Sequence, residues 1–217
     1  MTPVAVILLA GGQGVRMGEA MPKQFLPLGE KPIARYSFDL FSTLSFVSEI
    51  IVVTPADFQD LFPSSHAEPG KTRQESLRNG FDALTSAAEW VLVHDSARPF
   101  ISKEMVEKVC EGAFEVGAAA LATPVQLTIK EVNANHLVRK TLDRSTLVAM
   151  QTPQVMRRDW LQEGLENDIA VTDDVALVEA LGYPVKIVPG SEWNCKITTP
   201  TDLFFAQTLV EHAKLPF

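Results

Sequence analysis

Val4-Ala5-Val6-Ile7-Leu8-Leu9-Ala10-Gly11-Gly12-Gln13-Gly14 is the stretch on which the fold turns. Its unbroken apolar run, rich in β-branched residues, reads as a strand buried on both faces, the signature of a parallel-sheet interior. The run then breaks into glycines. A glycine loop directly after such a strand lies at the carboxyl edge of the sheet, where α/β sheets bind their ligands.

Outward from this stretch, strand-like and helix-like segments alternate. Pro32 opens a helix whose Ile33, Tyr36, Leu40, Phe41 and Leu44 are predicted to share one face. Ile50-Ile51-Val52-Val53 reads as a second strand, Leu77, Gly80, Phe81 and Leu84 as a helical stripe, and Trp90-Val91-Leu92-Val93 as a third strand. Ser102 caps a helix carrying Val106, Val109, Cys110 and Ala113. Helical segments at Trp160 to Leu165 and Val175 to Leu181 lead to a strand at Val185 to Val188, and Thr199-Pro200-Thr201-Asp202 starts a last helix. The pattern predicts one α/β domain over residues 1–217, with a Rossmann-like, three-layer, mainly parallel sheet covered by helices on both faces. Site residues are expected in the loops after Leu9, Val53 and Val93.

The alternation stops between Gln126 and Asp143. Thr128 to Val132 and Leu137 to Leu142 read as two strands joined by the polar turn Asn133 to His136. A hairpin arm over 126–143 with so little to bury is predicted to project from the domain, either solvated or covered by a second subunit.

Of the 217 residues, 46% are apolar and 21% charged, a globular composition, and the net charge is −8. That balance excludes a protein that coats nucleic acid or an anionic membrane by charge, but leaves room for a local cationic site. Cys110 and Cys195 show no disulfide or metal-ligand spacing. Met1-Thr2-Pro3 lacks a basic leader, and no apolar run approaches the roughly 20 residues of a membrane span. A soluble, cytoplasmic protein is expected.

The chemistry-bearing residues gather at the strand ends. Gly11, Gly12 and Gly14 allow close backbone approach to phosphate oxygens, and Arg16 and Lys23 bring cations to the same loop. No Gly-Lys-Ser/Thr follows, so this is not a P-loop, and the glycine spacing is not that of a dinucleotide fingerprint. Asp95, at the end of the third strand and facing such a loop, suits Mg²⁺ bridging phosphates; capping the turn or pairing with Arg98 is the alternative. His94 reads as structural. Gly70-Lys71-Thr72-Arg73-Gln74-Glu75-Ser76 serves equally as a base- or sugar-reading loop and as an ordinary helix cap.

Seven motifs then run in one order: AGGQGVRMG (10–18), PKQFLPLG (22–29), GKTRQES (70–76), HDSARPF (94–100), TLDRSTLVAMQTPQ (141–154), TDD (172–174) and NCKITTPTDL (194–203). Over essentially its whole length the chain resembles the 2-C-methyl-D-erythritol 4-phosphate cytidylyltransferases of the non-mevalonate isoprenoid pathway. The resemblance implies a nucleotide-diphospho-sugar transferase type of fold, and a Mg²⁺-dependent reaction in which the substrate phosphate attacks the α-phosphorus of CTP and pyrophosphate leaves. It implies catalytic roles for Arg16, Lys23, Lys196 and Arg144. It implies CTP contacts from Ala10, Gly11, Gly12, Gly14, Gly70, Arg73, Ser76, Asp95 and Ser96, with Asp95 also nearest the metal. Substrate contacts would come from Thr128, Arg144, Thr152 and Lys196. It further implies a homodimer paired through the arm, with Arg144 completing the partner's pocket, and Arg98 bracing its loop. Arg16, Lys23, Arg73, Lys130, Arg144 and Lys196 are thus expected near one cleft. For Thr172-Asp173-Asp174 the helix-dipole role is preferred, Thr172 as cap and both acids in the first turn.

Leu127, Trp193 and Cys195 depart from the family pattern: Trp193 is expected to pack, and Cys195 is a candidate reactive thiol beside Lys196. The rival readings are a ribitol 5-phosphate cytidylyltransferase, toward which Ala10-Gly11-Gly12 leans, and a non-catalytic nucleotide-binding protein. Asp143-Arg144 ahead of Thr152, and Thr128 with Lys130, lean back to methylerythritol.

Overall fold

The computed structural model describes residues 1–12, 21–167, 169 and 171–212. In chain order the elements are β1 (Val4–Leu9), a ribbon of β2 (Pro27–Leu28) and β3 (Lys31–Pro32), α1 (Ile33–Thr43), β4 (Val47–Val53), β5 (Ser65–Ala67), α2 (Arg73–Asp82), β6 (Trp90–Asp95) and α3 (Lys103–Val116). Then follow β7 (Ala118–Pro124), the hairpin β8 (Lys130–Val132) and β9 (Val138–Thr141), β10 (Val148–Arg157), α4 (Arg158–Glu166), α5 (Val175–Ala180), β11 (Lys186–Pro189) and α6 (Pro200–His212).

The main sheet has seven strands in the order β11-β7-β10-β6-β1-β4-β5. Its pairings are parallel except those of β10, which runs antiparallel to both β6 and β7. β1 lies in the middle and its period of two sorts the core. Val4, Val6 and Leu8 pack with α1 and α3 on one face, and Ala5 and Ile7 with α2, α4 and α5 on the other. This is the predicted three-layer α/β architecture. A third cluster, joining Leu28, Ile33 and Phe100 to Ile197, Ala206 and Leu209, pins α6 against the small ribbon and so anchors the segment carrying Lys196.

Several local predictions needed correction. In α1 the buried face runs through Ile33, Ala34, Ser37, Phe38 and Phe41, while Tyr36 and Leu40 are half-buried. The Tyr36 hydroxyl instead donates to the Leu28 carbonyl at 2.6 Å. The sequence pattern does not predict β7 or β10. β7 is an alanine-rich run of good helix formers, held extended because it is paired on both sides. β10 carries Pro153 after a cis peptide bond, and its pairing with β7 shifts register between Met150 and Gln154.

At the end of α3, Gly117 takes φ +107°, and a Cβ there would lie 2.0 Å from the Trp160 ring, so glycine is required twice over. The hairpin projects as predicted. Every residue of β8 and β9 is exposed, and the Asn133 side-chain oxygen holds the turn by accepting from the amides of Asn135 and Leu137, each at 3.0 Å.

Candidate active site

The register of the central strands builds the cleft. Leu9 pairs level with Asp95, so the glycine loop and the Asp95 loop leave the sheet side by side, and Ser96 N donates to Leu9 O at 3.1 Å. Beyond these ends lies a cavity of about 420 Å³ lined by Gly11, Gly12, Lys23, Arg73, Asp95 and Lys196, among others. The loop after β4 does not contribute; β5 extends the sheet there, and the 70–76 segment that follows β5 forms the wall instead. Thr72 caps α2 by accepting from Glu75 N at 3.0 Å, while Gly70 N donates to Ser76 Oγ at 3.0 Å. The helix-cap reading therefore holds, and the capped segment also lines the cleft.

Asp95 is the only carboxylate among the described lining residues, and it is 7% exposed. Its Oδ1 receives Arg73 Nη2 at 2.9 Å and Nε at 3.2 Å, and its Oδ2 receives Lys196 Nζ at 2.6 Å. Burial pushes this carboxyl upward, but the Arg73 and Lys196 charges outweigh it and hold the group well below the usual carboxylate range. The alternative pairing with Arg98 is not formed. Arg98 braces as expected, with Nη1 donating to Asn194 O at 2.7 Å, which ties the Asp95 loop to the segment carrying Lys196.

Arg73 also binds Asp174 through two nitrogens, Nη2 to Oδ2 at 2.8 Å and Nη1 to Oδ1. Asp174 is 1% exposed. Burial pushes its carboxyl up and the Arg73 guanidinium offsets part of this. Gln154 Oε1 accepts from the amides of Asp174 and Val175, each at 2.9 Å, and Asp173 Oδ1 takes Ala176 N at 3.0 Å. The helix-dipole reading of Thr172-Asp173-Asp174 is corrected: α5 begins at Val175 with Asp174, not Thr172, at its N-cap, so neither acid lies in its first turn. Asp173 caps Ala176 N, and Asp174 is buried behind the cleft, where it holds Arg73. Lys196, Asp95, Arg73 and Asp174 form a chain of alternating charge.

Two residues expected to contact ligand are buried behind the cleft surface. Thr152 is 4% exposed, and its hydroxyl is used inside the protein: Oγ1 accepts from Asp95 N at 3.1 Å and lies 3.0 Å from His94 Nδ1. His94 Nε2 is 3.2 Å from Arg98 O, which can only accept, so Nε2 carries the proton and Nδ1 accepts from Thr152. Burial lowers His94 to about 4, which makes it neutral and structural, as expected. Thr152 thus supports the Asp95 loop from behind. Ala10 is 1% exposed and its carbonyl accepts from Gln24 Nε2 at 2.6 Å, so it too lies behind the cleft surface.

Of the six expected cations, Lys23, Arg73 and Lys196 line the cleft. Arg16, like Gly14, lies outside the described residues. Arg144 and Lys130 are on the arm side, donating to Gln126 O and Thr141 Oγ1, each at 2.6 Å, and neither they nor Thr128 line this chain's cleft. Trp193 packs only in part: it is 51% exposed and stacks parallel to Phe205, with ring centres 6.5 Å apart. Cys195 packs beside the third cluster, and burial pushes its thiol up, away from a reactive thiolate. Leu127 is exposed. Sequence reasoning missed Gln24, Asn194 and Gln154, buried amides whose roles depend on partners remote in sequence.

A family model described as IspD, 2-C-methyl-D-erythritol 4-phosphate cytidylyltransferase, matches residues 4–212. The chain is 49% identical over 220 residues to the chloroplastic enzyme of that name from Oryza sativa subsp. japonica, covering 95% of this chain and 74% of that protein. It is 38% identical to the one from Chlamydia pneumoniae, covering 97% of this chain and all of that protein, 100%. Among solved structures, the 4-diphosphocytidyl-2C-methyl-D-erythritol synthase of Anaerococcus prevotii DSM 20548 superposes with a TM-score of 0.85 at 28% identity, covering 97% and 99% of the two chains. The cytidylyltransferase of Thermus thermophilus gives a TM-score of 0.79 at 31% identity, covering 94% and 98%.

Proposed function

The chain belongs to the 2-C-methyl-D-erythritol 4-phosphate cytidylyltransferase family, and from that premise we propose how its cleft performs the reaction. It is a nucleotidyltransferase of isoprenoid precursor synthesis that joins CTP to 2-C-methyl-D-erythritol 4-phosphate, giving the diphosphocytidyl alcohol and pyrophosphate. The ribitol phosphate reading is not favoured by these relatives.

The reading of the site rests on one observation: Lys23, Arg73 and Lys196 line a glycine-walled cavity in which Asp95 is the one carboxylate among the described lining residues. An oxygen of the substrate phosphate forms a bond to the α-phosphorus in line, and the bond to the leaving pyrophosphate breaks. Such transfers are catalysed by positioning and by charge stabilisation. Lys23 and Arg16 take the charge that grows on the α-phosphate. Gly11, Gly12, Gly14, Gly70, Ser76 and Ser96 hold the nucleotide. Lys196 binds the attacking phosphate, and Arg73 keeps Asp95 charged and in place. Asp95 with phosphate oxygens is a donor set that fits Mg²⁺, which when bound neutralises charge on the triphosphate. The described residues offer no cluster of three His, Cys, Asp or Glu that could hold a metal, so this ion would be carried mainly by CTP.

Thr128 and Arg144 act across a homodimer, from the arm of one subunit to the cleft of the other. Residues 1–217 serve as one catalytic domain with the 126–143 arm. No described helix is long and apolar enough to cross a membrane, and the free thiols suit a reducing compartment, so a cytoplasmic setting is proposed.

Pyrophosphate release by mixed variants tests the site and the dimer together. Arg144→Ala and Lys196→Met are each expected to be inactive. After subunit exchange, about a quarter of wild-type activity should return, because half the dimers then hold one complete site. No recovery, with exchange verified, overturns the role in trans. Wild-type turnover by Lys23→Ala overturns the catalytic assignment.

A further inference from the structure

Gln24 does something the reaction scheme leaves unassigned. Its side chain is 2% exposed, and its Nε2 donates to Ala10 O at 2.6 Å and to Gly12 O at 2.9 Å. A primary amide has two N–H groups, and both are spent here on carbonyls of the glycine loop. Carbonyl oxygens turned toward a triphosphate would repel it, so gathering two of them onto one buried donor shapes the loop for an anion. The same short turn, Lys23–Phe25, is fastened on its other side by Phe25, which is 4% exposed and stacked on Phe58 with ring centres 3.8 Å apart. Lys23 therefore starts from a backbone clipped to the glycine loop by one neighbour and riveted to the core by the next.

We propose that Gln24 is a positioning residue for cytidylyl transfer, locking the glycine loop at Ala10 and Gly12 and thereby setting Lys23 against the CTP phosphates. This rests on the reading that the loop and Lys23 receive CTP. Glutamate at this position has nearly the same shape but, when ionised, only accepts hydrogen bonds; protonated, it regains one donor.

Steady-state kinetics of Gln24→Glu from pH 8 to pH 6 provide the test, with thermal melting alongside. At pH 8, kcat/KM for CTP is expected to fall by about 10–100-fold, from two carbonyls facing an acceptor. Burial raises the new carboxyl, so the ratio of variant to wild type should recover by about fivefold or more at pH 6. Gln24→Met, uncharged and similar in size, should raise KM for CTP more than KM for the second substrate and show no such recovery. A ratio that stays flat with pH overturns the proposal. If Gln24→Glu does not fold, Gln24→Met decides: an unchanged KM for CTP, or equal effects on both substrates, overturns it. Lys23→Ala run in parallel separates the two ideas. Wild-type turnover there sinks the reading of the loop itself, whereas loss there with intact Gln24 variants sinks only the role of Gln24.

Discussion

Lys196 Nζ lies 2.6 Å from Asp95 Oδ2, although 101 residues separate them. The cation assigned to the attacking phosphate is therefore held by a carboxylate, and a phosphate entering the cleft replaces one anionic partner by another. Lys196→Met removes the cation, while Asp95 keeps Arg73 and is not left unpaired. Turnover measured by pyrophosphate release should fall by about 10²–10³, the usual effect of losing one charge-stabilising donor. The melting temperature should change by no more than about 3 °C, since Lys196 is partly exposed.

Asp174→Asn distinguishes a helix-end acid from a buried partner. An acid that only complements a helix dipole contributes about 0.3–1 kcal/mol. Asn leaves Arg73 paired with Asp95 but weakens the two hydrogen bonds to position 174, so the loss by urea denaturation should be about 1–3 kcal/mol. A loss below about 1 kcal/mol would return Asp174 to the dipole role.

His94 predicts a pH window for stability. It is fully buried and neutral, lowered from 6.5 to about 4. Between these values the unfolded chain takes a proton that the folded chain refuses. Stability is complete above pH 6.5 and declines as pH falls toward 4, by up to about 3 kcal/mol for this group. Melting temperatures across that range should show a slope that His94→Gln flattens; equal slopes in both proteins would refute the assignment.

Gly117→Ala tests the junction of α3 and β7. Its φ of +107° disfavours a side chain and its Cβ would enter the Trp160 ring, so a loss of about 2–4 kcal/mol is expected. Trp160→Leu in the same chain should relieve the clash but leave the strain of φ, so the double variant should recover only part of the loss. Full additivity of the two changes would show that the ring is not the obstacle.

How much of this was legible beforehand follows from which signals are local. The apolar run of β1, the caps at Ser102 and Thr199, the turn of the arm and the glycine loop are each written within a few residues, because hydrophobic period, capping and turn chemistry act at that range. These signals and the ordered motifs suffice for the α/β class, the edge of the sheet that carries the site, and the family. The work of the polar side chains at that edge is set by long-range packing. Thr152 turns inward to Asp95 and His94, Asp174 reaches Arg73 across 101 residues, and Gln24 spends its amide on the loop 14 residues before it. Those partners are chosen by strand register and by the antiparallel insertion of β10 between β6 and β7. A residue type states what bonds a side chain can make; which partner lies within about 3 Å is set by how distant segments stack, and no local pattern carries that distance.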